Sequence, residues 1–245
     1  MIEFMNTNQR AFFVALLLSM LLLSPLVFAQ DESEDEGVTL PLWTIEAHDP
    51  DPGVAQEQIA EMIEKGMLPV GVEHRPGRPT IVLYSLNLGN PVREVTLYTF
   101  EDLSQVNSGV REFIDRGFAP VGVSRHDQGL TMLFLRGGQE VGRWGIVESP
   151  LNLTEIESSF ADLAADGFSS WGMTVWNDTM LVLALDEPAR EAERASTVQL
   201  YNFDPTSYTP GISAAMKEGL YPWGIAVNGP ELYVQYTREP EDDDE

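Results

Sequence analysis

A chain of 245 residues with 39 acidic and 14 basic side chains, a net charge of −25, repels a phosphate backbone, so nucleic-acid binding is excluded and attraction to an anionic membrane surface is disfavoured. The absence of cysteine excludes disulfides, thiol catalysis, cysteine-ligated zinc and a lipidated cysteine. With 43% apolar residues the chain can build a core, and that core must rest on packing alone.

The first element is an apolar run from Ala11 to Phe28 behind Arg10, ending in Val27-Phe28-Ala29 before Gln30. This is the layout of a secretory signal peptide, residues 1–29, cut after Ala29. An uncleaved anchor is the competing reading, because the run is long enough to just span a bilayer; Pro25 near its end favours cleavage. No other segment is long enough to cross a membrane, so no insertion is expected after cleavage. An acidic, disordered linker (30–40) with DESEDE at 31–36 follows, and EPEDDDE forms an acidic tail at 239–245. Setting those two runs aside leaves the body at about −14. Lysine occurs only at Lys65 and Lys217, against twelve arginines.

The body begins with a strand, LWTIEA (42–47). Asp51-Pro52 then places a capping side chain before a proline suited to the first helical position. Ile59, Met62 and Ile63 share one helical face, and Gly66 ends the helix in the left-handed conformation. The phrase GMLPVGV (66–72) leads into a second strand, Arg75-Pro76-Gly77-Arg78 turns the chain, and TIVLYSL (80–86) returns it. A second unit repeats this order with VTLYTF (95–100), a helix capped by Ser104 or Asn107, GFAPVGV (117–123), a turn at His126 to Gly129, and LTMLFL (130–135). Gly137-Gly138 reads as a linker. The third has RWGIVE (143–148), a capping box of Thr154 and Glu157, GFSSWGM (167–173), the turn Asn177-Asp178 and TMLVLAL (179–185). The fourth has VQLYNF (198–203), a helix start at Thr209-Pro210, GLYPWGI (219–225), the turn Asn228-Gly229 and ELYVQYT (231–237). Three of the final strands are apolar on both faces and belong inside a sheet; ELYVQYT alternates and reads as an edge strand.

The expected fold class is therefore α+β or mixed α/β, with four tandem β-α-β-β repeats of about 50 residues. The first two strands of a unit, joined through the helix, should run parallel, and the hairpin strand adds antiparallel, which gives mixed sheets. Trp43 and Trp144 are shared by units one and three, and Leu97-Tyr98-Thr99-Phe100 matches Leu200-Tyr201-Asn202-Phe203 in two and four. This predicts a duplicated pair of units, with lobes at 41–138 and 142–238; a single ring is the alternative. The idea of repeated mixed α/β units in a ring resembles the pentein architecture. The count here is four rather than five, and without cysteine the pentein enzymes' nucleophile has no counterpart.

Candidate chemistry is sparse. His48, His74 and His126 have no metal-ligand spacing and read as exposed turn residues, so neither a metal nor any cofactor is expected. Neither a G-x-S-x-G elbow nor a glycine-rich phosphate loop is present, and no catalytic residue is assigned. Acids cluster before the helices (Glu46, Asp49, Asp51; Glu101, Asp102; Glu148; Asp204), where exposed amides favour them. Asn152-Leu-Thr154 and Asn177-Asp-Thr179 match the N-glycosylation pattern. Four of five tryptophans lie in the second half, and Trp171, Trp176, Tyr221 and Trp223 are the expected aromatic binding surface, against the alternative that they fill a core. The expected function is an exported, soluble, non-enzymatic binding or scaffold module, periplasmic or extracellular, for a protein or carbohydrate partner of the envelope. The alternatives are a hydrolase with a carboxylate pair between the lobes and a structural subunit that oligomerises through the sheet edge of unit four.

Overall fold

Three of the four helices start where an oxygen-bearing side chain caps the exposed amides of the first turn. The computed structural model describes residues 42–87, 92–137, 140–186 and 196–238; the signal peptide (1–29), acidic linker (30–40) and acidic tail (239–245) expected from the sequence lie outside the described residues. In α1 (Pro52–Glu64), Asp51 Oδ1 accepts from Gly53 N at 2.9 Å and Val54 N at 3.1 Å. The other three starts depart from expectation. Before α2 (Val106–Asp115), Asp102 caps a 3-10 turn at Leu103–Gln105, so neither Ser104 nor Asn107 is needed. Asn152, not Thr154, caps α3 (Leu153–Ala165), which frees Glu157 for another role. Asp204 caps α4 (Pro205–Lys217), so Pro205 takes the first position and Pro210 lies inside the helix. All four helices end as the sequence indicates: Gly66, Gly117, Gly167 and Gly219 have φ of +88°, +83°, +78° and +79°.

Among the described residues twelve strands accompany these helices: β1 (Trp43–His48), β2 (Met67–Glu73), β3 (Thr80–Leu86), β4 (Glu94–Phe100), β5 (Phe118–His126), β6 (Gly129–Arg136), β7 (Trp144–Pro150), β8 (Ser169–Trp176), β9 (Thr179–Leu185), β10 (Ser196–Asn202), β11 (Leu220–Asn228) and β12 (Glu231–Arg238). They make four three-stranded sheets, ordered β1-β3-β2, β4-β6-β5, β7-β9-β8 and β10-β12-β11, and every pairing is antiparallel. The sheets are thus not mixed. The two strands joined through a helix do run the same way, but the hairpin strand slots between them and takes both sets of backbone hydrogen bonds. For the same reason β12 is a central strand and not an edge. Gln235 and Thr237 on this strand are buried inside the fold.

The second strand of each sheet faces the second strand of the next: β2 on β5, β5 on β8, β8 on β11, and β11 back on β2. β5 on β8 and β11 on β2 thus join the two expected lobes as β2 on β5 and β8 on β11 join the units within them. The approach is close because each strand brings a glycine, Gly71, Gly122, Gly172 or Gly224, at a bulge. A Cβ on Gly71 would lie 2.8 Å from Ile225 N, and one on Gly122 would lie 2.8 Å from Val72 Cγ1. The second glycine of the recurring phrase is therefore the ring's packing residue, as the first is its helix stop.

Two features alternate around this ring. Gln56 on α1 accepts from Leu97 N on β4 at 3.0 Å, and Glu157 on α3 accepts from Thr197 Oγ1 and, at 3.5 Å, from Val198 N on β10. Helices α1 and α3 thus cover the outer edge of the following sheet. In α2 and α4 a glycine instead sits against an aromatic ring of its own unit, Gly109 on Phe100 and Gly211 on Tyr201. These contacts pair unit one with three and unit two with four. Among the described residues no helix is long and apolar enough to cross a membrane.

Candidate functional site

The four hairpin turns meet at one end of the ring. Arg75, Pro76 and Arg78 come from the first, Arg125 to Gln128 from the second, Val175 to Asp178 from the third and Asn228 from the fourth; together they line an open cavity of about 580 Å³. The position seven residues after each helix-ending glycine lies beneath it, at the inner ends of β2, β5, β8 and β11. Three of the four units place a small side chain there, Ser124, Thr174 and Ala226, while unit one places Glu73.

Glu73 is 4% exposed and bonded to three units. Its Oε1 accepts from Arg75 Nε at 2.9 Å, and its Oε2 accepts from Thr174 Oγ1 at 3.3 Å across the ring. Burial pushes its carboxyl up to about 7, outweighing the opposing pull of Arg75, Thr174 and the backbone of Val227. Arg75 Nη2 also donates to Val227 O at 2.6 Å, which ties the first unit to the fourth. Ser124 Oγ accepts from His74 N and donates to His74 O, both at 2.8 Å, and Arg125 N donates to Thr174 Oγ1 at 3.2 Å. The polar groups below the opening thus stitch all four units together.

Arg125 is held in place from two sides. Its guanidinium donates to the carbonyl oxygens of His126 and Gly129, and its carbon lies 4.4 Å from the centre of the Trp176 ring. Carbonyls and an aromatic face orient a cation without cancelling its charge. Ordering these side chains before a ligand arrives removes part of the entropy that binding would otherwise cost.

The histidines are buried rather than exposed: His48 is 9%, His74 2% and His126 5% accessible. His74 and His126 fold under their own hairpins and His48 closes β1, and each has one ring nitrogen against a hydroxyl. Thr80 Oγ1 donates to Asp49 O, so His74 Nδ1, 2.8 Å away, carries a proton and donates to it. His126 Nε2 meets Thr131 Oγ1 at 2.9 Å, and His48 Nε2 meets the Tyr84 hydroxyl at 2.7 Å. Burial lowers all three histidines below their ordinary pKa, and at His126 His74 and Arg125 add to the effect. Among the described residues His126 Nδ1 has no hydrogen-bond partner; the atom is buried, and His126 is one of the residues that line the opening. Among the described residues no group of three or more His, Asp or Glu side chains is placed to hold a metal ion.

The four aromatics expected to share a surface are dispersed. Trp171 is 6% exposed in the core, and the partly buried Trp223 packs edge-on against it at 4.9 Å. Tyr221 is 41% exposed near the start of β11, while Asn228 at the other end of that strand reaches the mouth, roughly 23 Å away at the usual rise per residue. Trp176 alone lines the opening. Sequence reasoning missed Glu73, Arg75, Arg125 and Thr174. The signal was the broken equivalence between units: a charged residue in unit one where the others carry serine, threonine or alanine.

A scan against protein-family models, a search of the curated proteins and a search of the solved structures found no match to this chain. The pentein likeness accordingly rests on a ring of repeated units alone.

Proposed function

We propose that the chain is an exported binding module whose ligand docks at the hairpin mouth. The observation that carries this reading is the convergence of side chains from all four units on one opening of about 580 Å³, within the span of about 300–1,000 Å³ usual for small-molecule sites. The apolar run and small-residue junction at residues 11–29 support export. The ring supports the binding part of the reading, because glycine-packed inner strands make a stiff base on which turn residues keep their relative positions. Trp176 retains the role expected of it, now joined by Arg75, Arg78 and Arg125 in place of the other three aromatics.

The test is a thermal-shift screen of the full chain against oligosaccharides, short peptides and charged and neutral small molecules, run beside Trp176→Ala and Asn228→Ala. Ligands that stabilise the parent and fail to stabilise both variants support the reading. Ligands that stabilise all three equally place binding elsewhere and overturn it.

A further inference from the structure

We propose that the mouth is an anion site for a small molecule bearing two or more carboxylate or phosphate oxygens, held by Arg75, Arg78 and Arg125. This rests on the binding reading above and names its ligand class. Three arginines at one opening are unexpected in a chain with 14 basic residues and a net charge of −25. Among the described residues, Arg78 and Arg125 have no carboxylate within ion-pairing distance. Arg75 has one, Glu73, and the buried Glu73 carboxyl is pushed up to about 7, so near neutrality it cancels only part of the Arg75 charge. The backbone carbonyls that fix Arg75 and Arg125 leave further N–H groups of both guanidiniums available to a ligand oxygen.

Asp127 and Asp178 stand on the same rim. They fit a compact ligand whose negative charge is gathered at one end, and they argue against an extended polyanion. The rim sets three arginines against two aspartates, and because Glu73 beneath Arg75 is only partly ionised near neutrality, a small local excess of positive charge remains on a body of about −14.

The test is isothermal titration of the full chain with citrate and with inorganic phosphate at pH 7, at constant ionic strength, with chloride as reference. One-to-one binding above the chloride background is expected for at least one probe, weakened at least about tenfold in Arg125→Gln and in Arg78→Gln. Arg78 is exposed, so its variant keeps the test informative if Arg125→Gln folds poorly. No binding beyond chloride, or binding that neither variant weakens, overturns the anion assignment. If neutral compounds still bind and lose binding in Trp176→Ala, the binding reading survives and only the ligand class falls. If no compound of any charge responds to the mouth variants, both fall.

Discussion

The carboxylate of Glu73, from the first unit, meets Thr174 Oγ1 of the third at 3.3 Å across the ring. With its carboxyl pushed up to about 7 against 4.5 in the open chain, the folded protein holds this proton more tightly than the unfolded one does. The contribution to stability is therefore full below about pH 4.5 and is lost as pH rises through about 7. A shift of that size corresponds to about 3 kcal/mol. Urea denaturation of the parent and Glu73→Gln from pH 4.5 to 8 should show the stability difference moving in favour of the variant as pH rises. A difference independent of pH would show that the carboxyl titrates normally.

The buried histidines act in the opposite direction. Their lowered pKa values give stability that is present above about pH 6.5 and lost as pH falls through their folded values. His74→Asn should reduce the acid-side loss of stability between pH 6.5 and 4.5 relative to the parent, with Thr80 still available to a side-chain amide. An unchanged acid limb in the same denaturation series would remove His74 from this account.

The inner glycines should tolerate no side chain. Gly71→Ala places a methyl group 2.8 Å from Ile225 N and 3.0 Å from Gly224 Cα, and backbone cannot step aside as a side chain can. A loss of about 3 kcal/mol is expected, at the upper end of ordinary overpacking. Gly145, on β7, has nothing within 4 Å of the same position among the described residues, so Gly145→Ala should be neutral or stabilising by about 0.5 kcal/mol. Equal costs at the two sites, read from denaturant midpoints, would mean that the ring does not close as described.

Those glycines also show where sequence reading stops. The first glycine of each phrase was legible because everything that defines a helix stop is local: an apolar face before it, an apolar residue after it, then usually a proline. The second glycine obeys no local rule, since its neighbour is a strand about 50 or 150 residues away. Glu73 was hidden for the same reason. A glutamate at the end of an apolar strand normally reaches solvent, and only ring closure buries it under Arg75 and Thr174. Trp171 and Trp176 differ by five residues and looked alike in sequence, yet a bulge and a turn send one into the core and the other to the mouth.

That separation gives a direct comparison between aromatics expected to act together. Trp171→Ala empties a site packed against Trp223 and should cost about 3–5 kcal/mol. Tyr221→Ala, at a residue 41% exposed, should change stability by less than about 0.5 kcal/mol. Chemical denaturation of both variants checks this, and near-equal losses would contradict the placement.

The alternation around the ring is testable at Gln56 and Glu157, which occupy equivalent positions in α1 and α3, ten residues before the helix-ending glycine. Each satisfies a backbone N–H on the outer edge of the next sheet, Leu97 in one case and Val198 in the other. At the corresponding positions α2 and α4 carry the shorter Asn107 and Thr209, and α4 meets β1 instead through Tyr208, edge-on to Trp43 with ring centroids 6.5 Å apart. Gln56→Ala should cost about 1 kcal/mol, the usual worth of one such hydrogen bond, and Asn107→Ala close to nothing. The Leu97 amide should then exchange its hydrogen faster in Gln56→Ala, while amides in the central strand β6 keep their parent rates. Hydrogen exchange followed by mass spectrometry distinguishes this from a general loss of stability, in which β4 and β6 would speed up together.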